Sequence, residues 1–110
     1  MVKSSAARLD SIFHALADPT RRAILRDVSS GEKTVSEVAH PYALTLAAVS
    51  KHLNVLEAAD LIARKRRGSF QIVSLNAPAL READRWLAYY RQFWSSRLDA
   101  LAKHLEGEHR

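Results

Sequence analysis

Apolar positions recur at helical spacing through most of this chain, and one run alternates as strands do. The order predicts a mainly α fold with a small two-stranded β-hairpin, α-α-α-α-β-β-α. Leu9, Ile12, Phe13 and Leu16 stripe one side of a first helix over residues 5–17. Asp18 should cap a second helix whose first position is Pro19, where a missing N–H is no loss. Its Ala23, Ile24 and Val28 point inward, and Gly31 is expected to end it as a left-handed cap. Thr34 with Glu37 spells a capping box for a short third helix, TVSEVAH, with Val35 and Val38 inward and Pro41 as its stop.

After the connection HPYAL, Thr45 caps a fourth helix over 45–59, TLAAVSKHLNVLEAA. At 100° per residue, Leu46, Val49, Leu53 and Leu56 fall within one quarter of the wheel, while Ala47, Ser50, Lys51, Asn54 and Ala58 cluster opposite. That outer face is small, hydrogen-bonding and positive near its start, unlike the mixed Glu and Lys rows of a solvated face. It fits the major groove of DNA, which admits one helix with short polar side chains against base edges. A core helix with a bland outer side fits these residues equally well.

Leu61 to Arg66, a turn at Arg67, Gly68 and Ser69, and Phe70 to Leu75 read as the hairpin, a wing over 62–75. Asp60, which tolerates the left-handed conformation, turns the chain into it. Arg64, Lys65, Arg66 and Arg67 stand in a row, and like charges so placed call for an anionic partner. A charged edge that only prevents sheet aggregation is the alternative.

Asn76 and Pro78 open a last helix whose apolar register runs through Leu80, Ala83, Leu87, Tyr90, Trp94, Leu98, Leu101 and Leu105. That length exceeds what a 110-residue core needs. Of eight aromatics in the chain, five lie between Trp86 and Trp94, and they spread beyond one stripe. A homodimer interface with the first helix accounts for them, using Leu9, Ile12, Phe13, Trp86, Tyr90, Phe93, Trp94, Leu98 and Leu101. A hydrophobic ligand pocket at that interface is the alternative.

Composition adds limits. The length suits a single domain over 1–110, and 47% hydrophobic with 26% charged residues is ordinary for a folded protein. Seventeen Lys and Arg against twelve Asp and Glu leave +5, and no acid occurs from Leu61 through Arg81, the localised footprint of a phosphate-binding surface. Without cysteine there is no disulfide, thiol nucleophile or thiolate metal site. No apolar run approaches membrane-spanning length and the start MVKSSAARLD lacks a signal-peptide core, so the cytoplasm is the expected compartment.

The segments LADPTRRAIL, VSKHLNVLEAADLI and KRRGSFQIVSL together resemble the ArsR-type bacterial transcription regulators, over nearly the whole chain. The resemblance implies a winged helix-turn-helix and a dimeric repressor binding double-stranded DNA at an inverted repeat, joined through its first and last helices. It implies DNA contacts from Ala47, Ser50, Lys51 and His52 in the recognition helix, with Thr45 and Asn54 beside them. Arg64, Arg66 and Arg67 fall in the wing, which in relatives reaches toward the minor groove or its phosphates. Three departures stand out: TVSEVA lacks the thiolates of metal-sensing relatives, Asp84 is followed two residues on by Trp86 where zinc sensors carry His, and Asp60 and Ser69 replace a usual Gly and basic residue.

No metal site and no cofactor are expected, since His14, His40, His52, His104 and His109 form no i, i+4 pair. His104 with Glu106 and His109 is the weak exception, and Asp10 with His14 reads as a local ion pair. Ser50 and His52 point apart, so they make no nucleophile and base, and an enzyme is not expected. Besides a regulator, the residues admit a winged-helix protein-interaction module or a nonspecific nucleic-acid binder. A small-molecule effector is not readable from the sequence.

Overall fold

Capping chemistry sets the helix starts. Pro19 and the β-region Asp18 before it open α2 (Pro19–Ser29), separating it from α1 (Ser5–Leu16). The Thr34–Glu37 capping box forms in both directions and opens α3 (Val35–Ala39), and Thr45 accepts from the Ala48 N–H to open α4 (Leu46–Ala58). The computed structural model describes residues 5–108. His109 lies outside them, so the weak terminal candidate of His104, Glu106 and His109 falls partly out of view.

Two stops differ from expectation. Ser30 ends α2 in a right-handed conformation and Gly31 follows at φ 157°, far from the left-handed cap. α3 ends before Pro41, but the chain does not leave the helical path there and continues through a 3-10 turn, His40–Tyr42, whose exit is the left-handed Ala43 at φ 51°. Asp60 behaves as expected at φ 59°. The Leu61 N–H reaches the Leu56 carbonyl and the Asp60 N–H that of Glu57, a Schellman closure with Leu56 and Leu61 buried together.

The hairpin is β2 (Ile62–Arg67) and β3 (Phe70–Leu75), paired from Ile62–Leu75 to Arg67–Phe70. Its two-residue turn has Gly68 at φ 63° in the first central position, the glycine placement of a type II′ turn. A third strand, β1 (Lys33–Thr34), joins the far edge of β3 in the order β1-β3-β2. Two residues carry no periodicity, which is why this strand was not legible. Asn76 donates to the Asp60 carbonyl at 2.6 Å and fastens the end of β3 to the end of α4.

One core joins these elements around Ile12, Ile24, Val38, Leu53, Leu56, Leu61 and Val73, each no more than 2% exposed. Ile12 is therefore a core residue and offers no surface to a second copy. Its 3.6-residue period put it in the same stripe as Leu9 and Phe13, but that stripe is wider than the outer contact. Asp10 and His14 form no ion pair among the described residues.

Tyr42 closes the turn under α2, its hydroxyl donating to the Asp27 carboxylate. Burial, helped by that hydrogen bond and the carboxylate charge, pushes the phenol up to about 12. The raised value means that this contact stabilises the fold fully below pH 10.0, the ordinary phenol value, and is lost as pH rises through about 12. A titration of phenolate absorbance is expected to show a late step near the raised value, and Tyr42→Phe should delete that step. A wild-type curve without it, or a late step that survives Tyr42→Phe, counts against it.

Residues beyond the body form α5 (Ala77–Glu108), 32 residues and about 48 Å long. From Asp84 to Gly107 every residue is exposed. The Cα radius of gyration is 18.6 Å, against about 13 Å for a compact chain of this length. Its first turns pack on the body through Ala79, Leu80 and the buried Ala83, and the remainder stands out from it.

Candidate nucleic-acid interface

With Val49, Leu53 and Leu56 wholly buried, α4 can present only its other side. Thr45, Ala47, Lys51, Asn54 and Ala58 are exposed and Ser50 is half-buried beside them. Leu46 departs from the inner row, at 56% exposed, because the whole stretch 43–47 lies ahead of the packing where no element covers it. Helical angle names a side of a helix but not how far along it the neighbours extend.

A corner made by the sequence DPTRR holds α4 in place. The Asp18 carboxylate accepts from the Arg21 N–H at 2.9 Å, and this bond, then the nearby Arg21 and His52 charges, holds its carboxyl below the usual range. Arg21 donates from Nε to the Ala15 carbonyl at 2.8 Å and from Nη2 to that of His14 at 3.0 Å, while Arg22 Nη1 reaches Leu16 at 2.8 Å. These two guanidinium groups thus satisfy the last carbonyls of α1 and are not simply a solvated face. Arg26, one turn further along α2, is exposed and makes no such bond among the described residues.

His52 belongs to that corner. Its Nδ1 lies 3.4 Å from Arg21 Nη1 and 3.9 Å from Asp18 Oδ2, with the side chain 24% exposed. It therefore keys α4 onto α2 and does not share the outer row with Ser50 and Lys51. One step of 100° past Lys51 brings it to the flank of the buried row.

The four cations of the hairpin also divide. Arg64 donates from Nη2 to Asn54 Oδ1 and, at 2.9 Å, to Glu57 Oε1, with only 19% of its side chain exposed. It fastens β2 to α4 and is not part of a free cationic row. Arg67 pairs with Glu32 at 2.7 Å, an exposed contact of small energetic weight. Lys65 and Arg66 are exposed with no acidic partner among the described residues. Strand alternation could have signalled this, since Arg64 shares a face with the buried Ile62.

At the other end, Phe13 meets Trp86 edge-on at 5.6 Å between ring centroids, and Trp86, Tyr90, Tyr89 and Phe93 continue as a chain of ring contacts. Arg8 Nε donates to Glu82 at 2.7 Å and ties α1 to the start of α5. Trp86, Tyr90, Phe93, Trp94, Leu98 and Leu101 are all 41–62% exposed, and Leu9 is half-buried. Among the described residues no cluster of three or more His, Asp or Glu side chains could hold a metal. No described helix is long and apolar enough to cross a membrane.

Comparison with known proteins fits this arrangement. A helix-turn-helix domain family matches residues 16–65. The chain is 34% identical over 79 residues to the transcriptional repressor SdpR of Bacillus subtilis, covering 72% of this chain and 88% of that protein. It is 32% identical over 99 residues to the HTH-type transcriptional regulator Rv2034 of Mycobacterium tuberculosis, covering 90% of each. The crystal structure of the ArsR family transcriptional regulator RHA00566 superposes with a TM-score of 0.76 at 35% identity, covering 87% of this chain and 98% of that one. The relatives and fold neighbours are transcriptional regulators, not enzymes. Sequence and fold agree, and the chain belongs to the ArsR family of transcriptional regulators.

Proposed function

We propose that the chain, acting as one domain, is a sequence-specific repressor that binds an inverted-repeat operator as a homodimer. The observation that carries this reading is the outer side of α4, small and polar, beside a wing that holds two cations without acidic partners. Each protomer sets α4 in a major groove, with half-site centres about 10 bp apart or a multiple of it. Ser50 and Lys51 address base edges, and Ala47 suits a thymine methyl. Asn54 reaches adenine through its amide nitrogen while its oxygen stays with Arg64. Lys65 and Arg66 supply phosphate contacts, joined by Arg67 once it leaves Glu32. Two copies meet along the uncovered aromatic face of α5 with Leu9 and Phe13 of α1. The repressor sense follows the Bacillus subtilis relative.

Fluorescence anisotropy on the DNA upstream of the chain's own gene, at two salt concentrations beside scrambled DNA, tests the reading. Binding that is absent, or equal on both duplexes, overturns it. Arg66→Ala should weaken binding to both duplexes and reduce the slope of log affinity against log salt by about one. Ser50→Ala and Lys51→Ala should instead change site preference, by about 1–3 kcal/mol at the bases they touch. Arg64→Ala should lower Tm and leave the slope unchanged, because its partners are protein groups. Equal losses on scrambled DNA for all four variants would refute this division of labour.

A further inference from the structure

Phe70 is 61% exposed at the tip of the wing, directly across the Gly68–Ser69 turn from Arg67. No other ring packs against it among the described residues. A side chain placed on Gly68 would meet nothing within 4 Å, so the tip stands clear of the body. An uncovered aromatic at the end of a hairpin is an association liability unless it has a partner. Its neighbours choose that partner. Lys65 and Arg66 are exposed and have no acidic partner among the described residues, so the surface that suits this tip is a polyanion.

Dimensions narrow the choice. The minor groove is about 6 Å wide, too narrow for a helix but open to small tip residues such as Gly68 and Ser69 and one flat ring behind them. Apolar side chains entering that groove partly separate the base step they touch. We propose that Phe70 is an apolar wedge of the wing, seated in the minor groove beside the α4 contact and loosening one base step. The inference rests on the DNA-binding reading above and adds to it a contact of different physical kind. A ring displaces water but releases no counterions, so its loss lowers affinity without changing the salt dependence, unlike loss of Arg66.

The test uses the full chain and a duplex that wild-type protein selects from a random pool, with 2-aminopurine placed in turn at steps flanking the α4 contacts. Wild-type binding should brighten one such position as its step opens. Phe70→Ala should bind about tenfold more weakly, with the salt slope unchanged and the brightening gone. Phe70→Tyr keeps the ring and should retain both signals, and equal Tm values for the two variants guard against misfolding. Wild-type affinity in Phe70→Ala, or a loss accompanied by a shallower slope, overturns the wedge and leaves the regulator intact. Failure of the wild-type protein to select any duplex overturns both.

Discussion

Protein carrying Leu98→Glu together with Leu101→Glu is expected to sediment as a monomer at micromolar concentration and to lose operator affinity by about 10²- to 10⁴-fold. Both leucines are exposed in the protomer, at 62% and 53%, and Glu is a good helix former, so α5 itself should persist. The loss comes from linkage. In a dimer, docking of one α4 raises the effective concentration of the other at its half-site, whereas two separate monomers each bind half an operator unaided. A stable interface removes about 1,200–2,000 Å² from water, and most of the exposed large apolar side chains among the described residues lie on α5. Four carboxylates inserted across a two-fold contact would be desolvated against one another, an outcome far worse than the loss of four leucines. Sedimentation velocity and anisotropy on the same preparations give both readouts. A doubly substituted protein that remains dimeric and binds with wild-type affinity would remove α5 as the contact.

The second large effect separates two leucines that share one sector of the helical wheel. Leu53→Ala is expected to cost about 2–5 kcal/mol of folding stability, a substantial part of the roughly 5–15 kcal/mol that holds a domain together. Leu46→Ala, by contrast, should stay within about 0.5 kcal/mol. Leu53 has no exposed surface and is packed among Ile24, Val49 and Leu56 in the core, so truncation leaves a cavity that rigid neighbours cannot close. Leu46 is more than half exposed. Denaturant melts of both variants at one fixed protein concentration make the comparison, since dimerisation makes apparent stability concentration-dependent. Equal costs would mean that the first turn of α4 is covered after all.

These two leucines also show what periodicity can and cannot settle. The three helix starts that depend on side-chain chemistry or ring geometry were legible, because Asp18, Pro19, Thr34, Glu37 and Thr45 act on backbone groups a few residues away. The left-handed Asp60 was legible for the same reason. Hairpin and long final helix followed from a change of apolar period. The third strand escaped, since Lys33 and Thr34 pair with residues 72 and 73 and nothing local marks them.

The candidate interface was read less completely. Its outer row on α4 stands as expected, but His52 is turned toward Asp18 and Arg21, and Arg64 is spent on Asn54 and Glu57. Each of these side chains is long or jointed enough to reach either DNA or the protein, and the choice depends on what another element brings within about 3 Å. The role of Arg21 was not legible either: its partners are carbonyls at the end of α1, which become neighbours only when the two helices meet at their corner.

By itself, then, the sequence determined which segments form the α-helices and the hairpin, which side of α4 is apolar, where positive charge concentrates, and that the final helix carries more apolar surface than one protomer can cover. These follow from interactions between near neighbours and from counting. Tertiary structure decided which cations remain free, which stripe residues are core and which are surface, and that Phe70 stands alone at the tip of the wing. Those outcomes depend on contacts between side chains and groups of other elements, 6 to 74 positions apart, and whether a polar group is occupied or a ring is covered is settled by the element that arrives beside it.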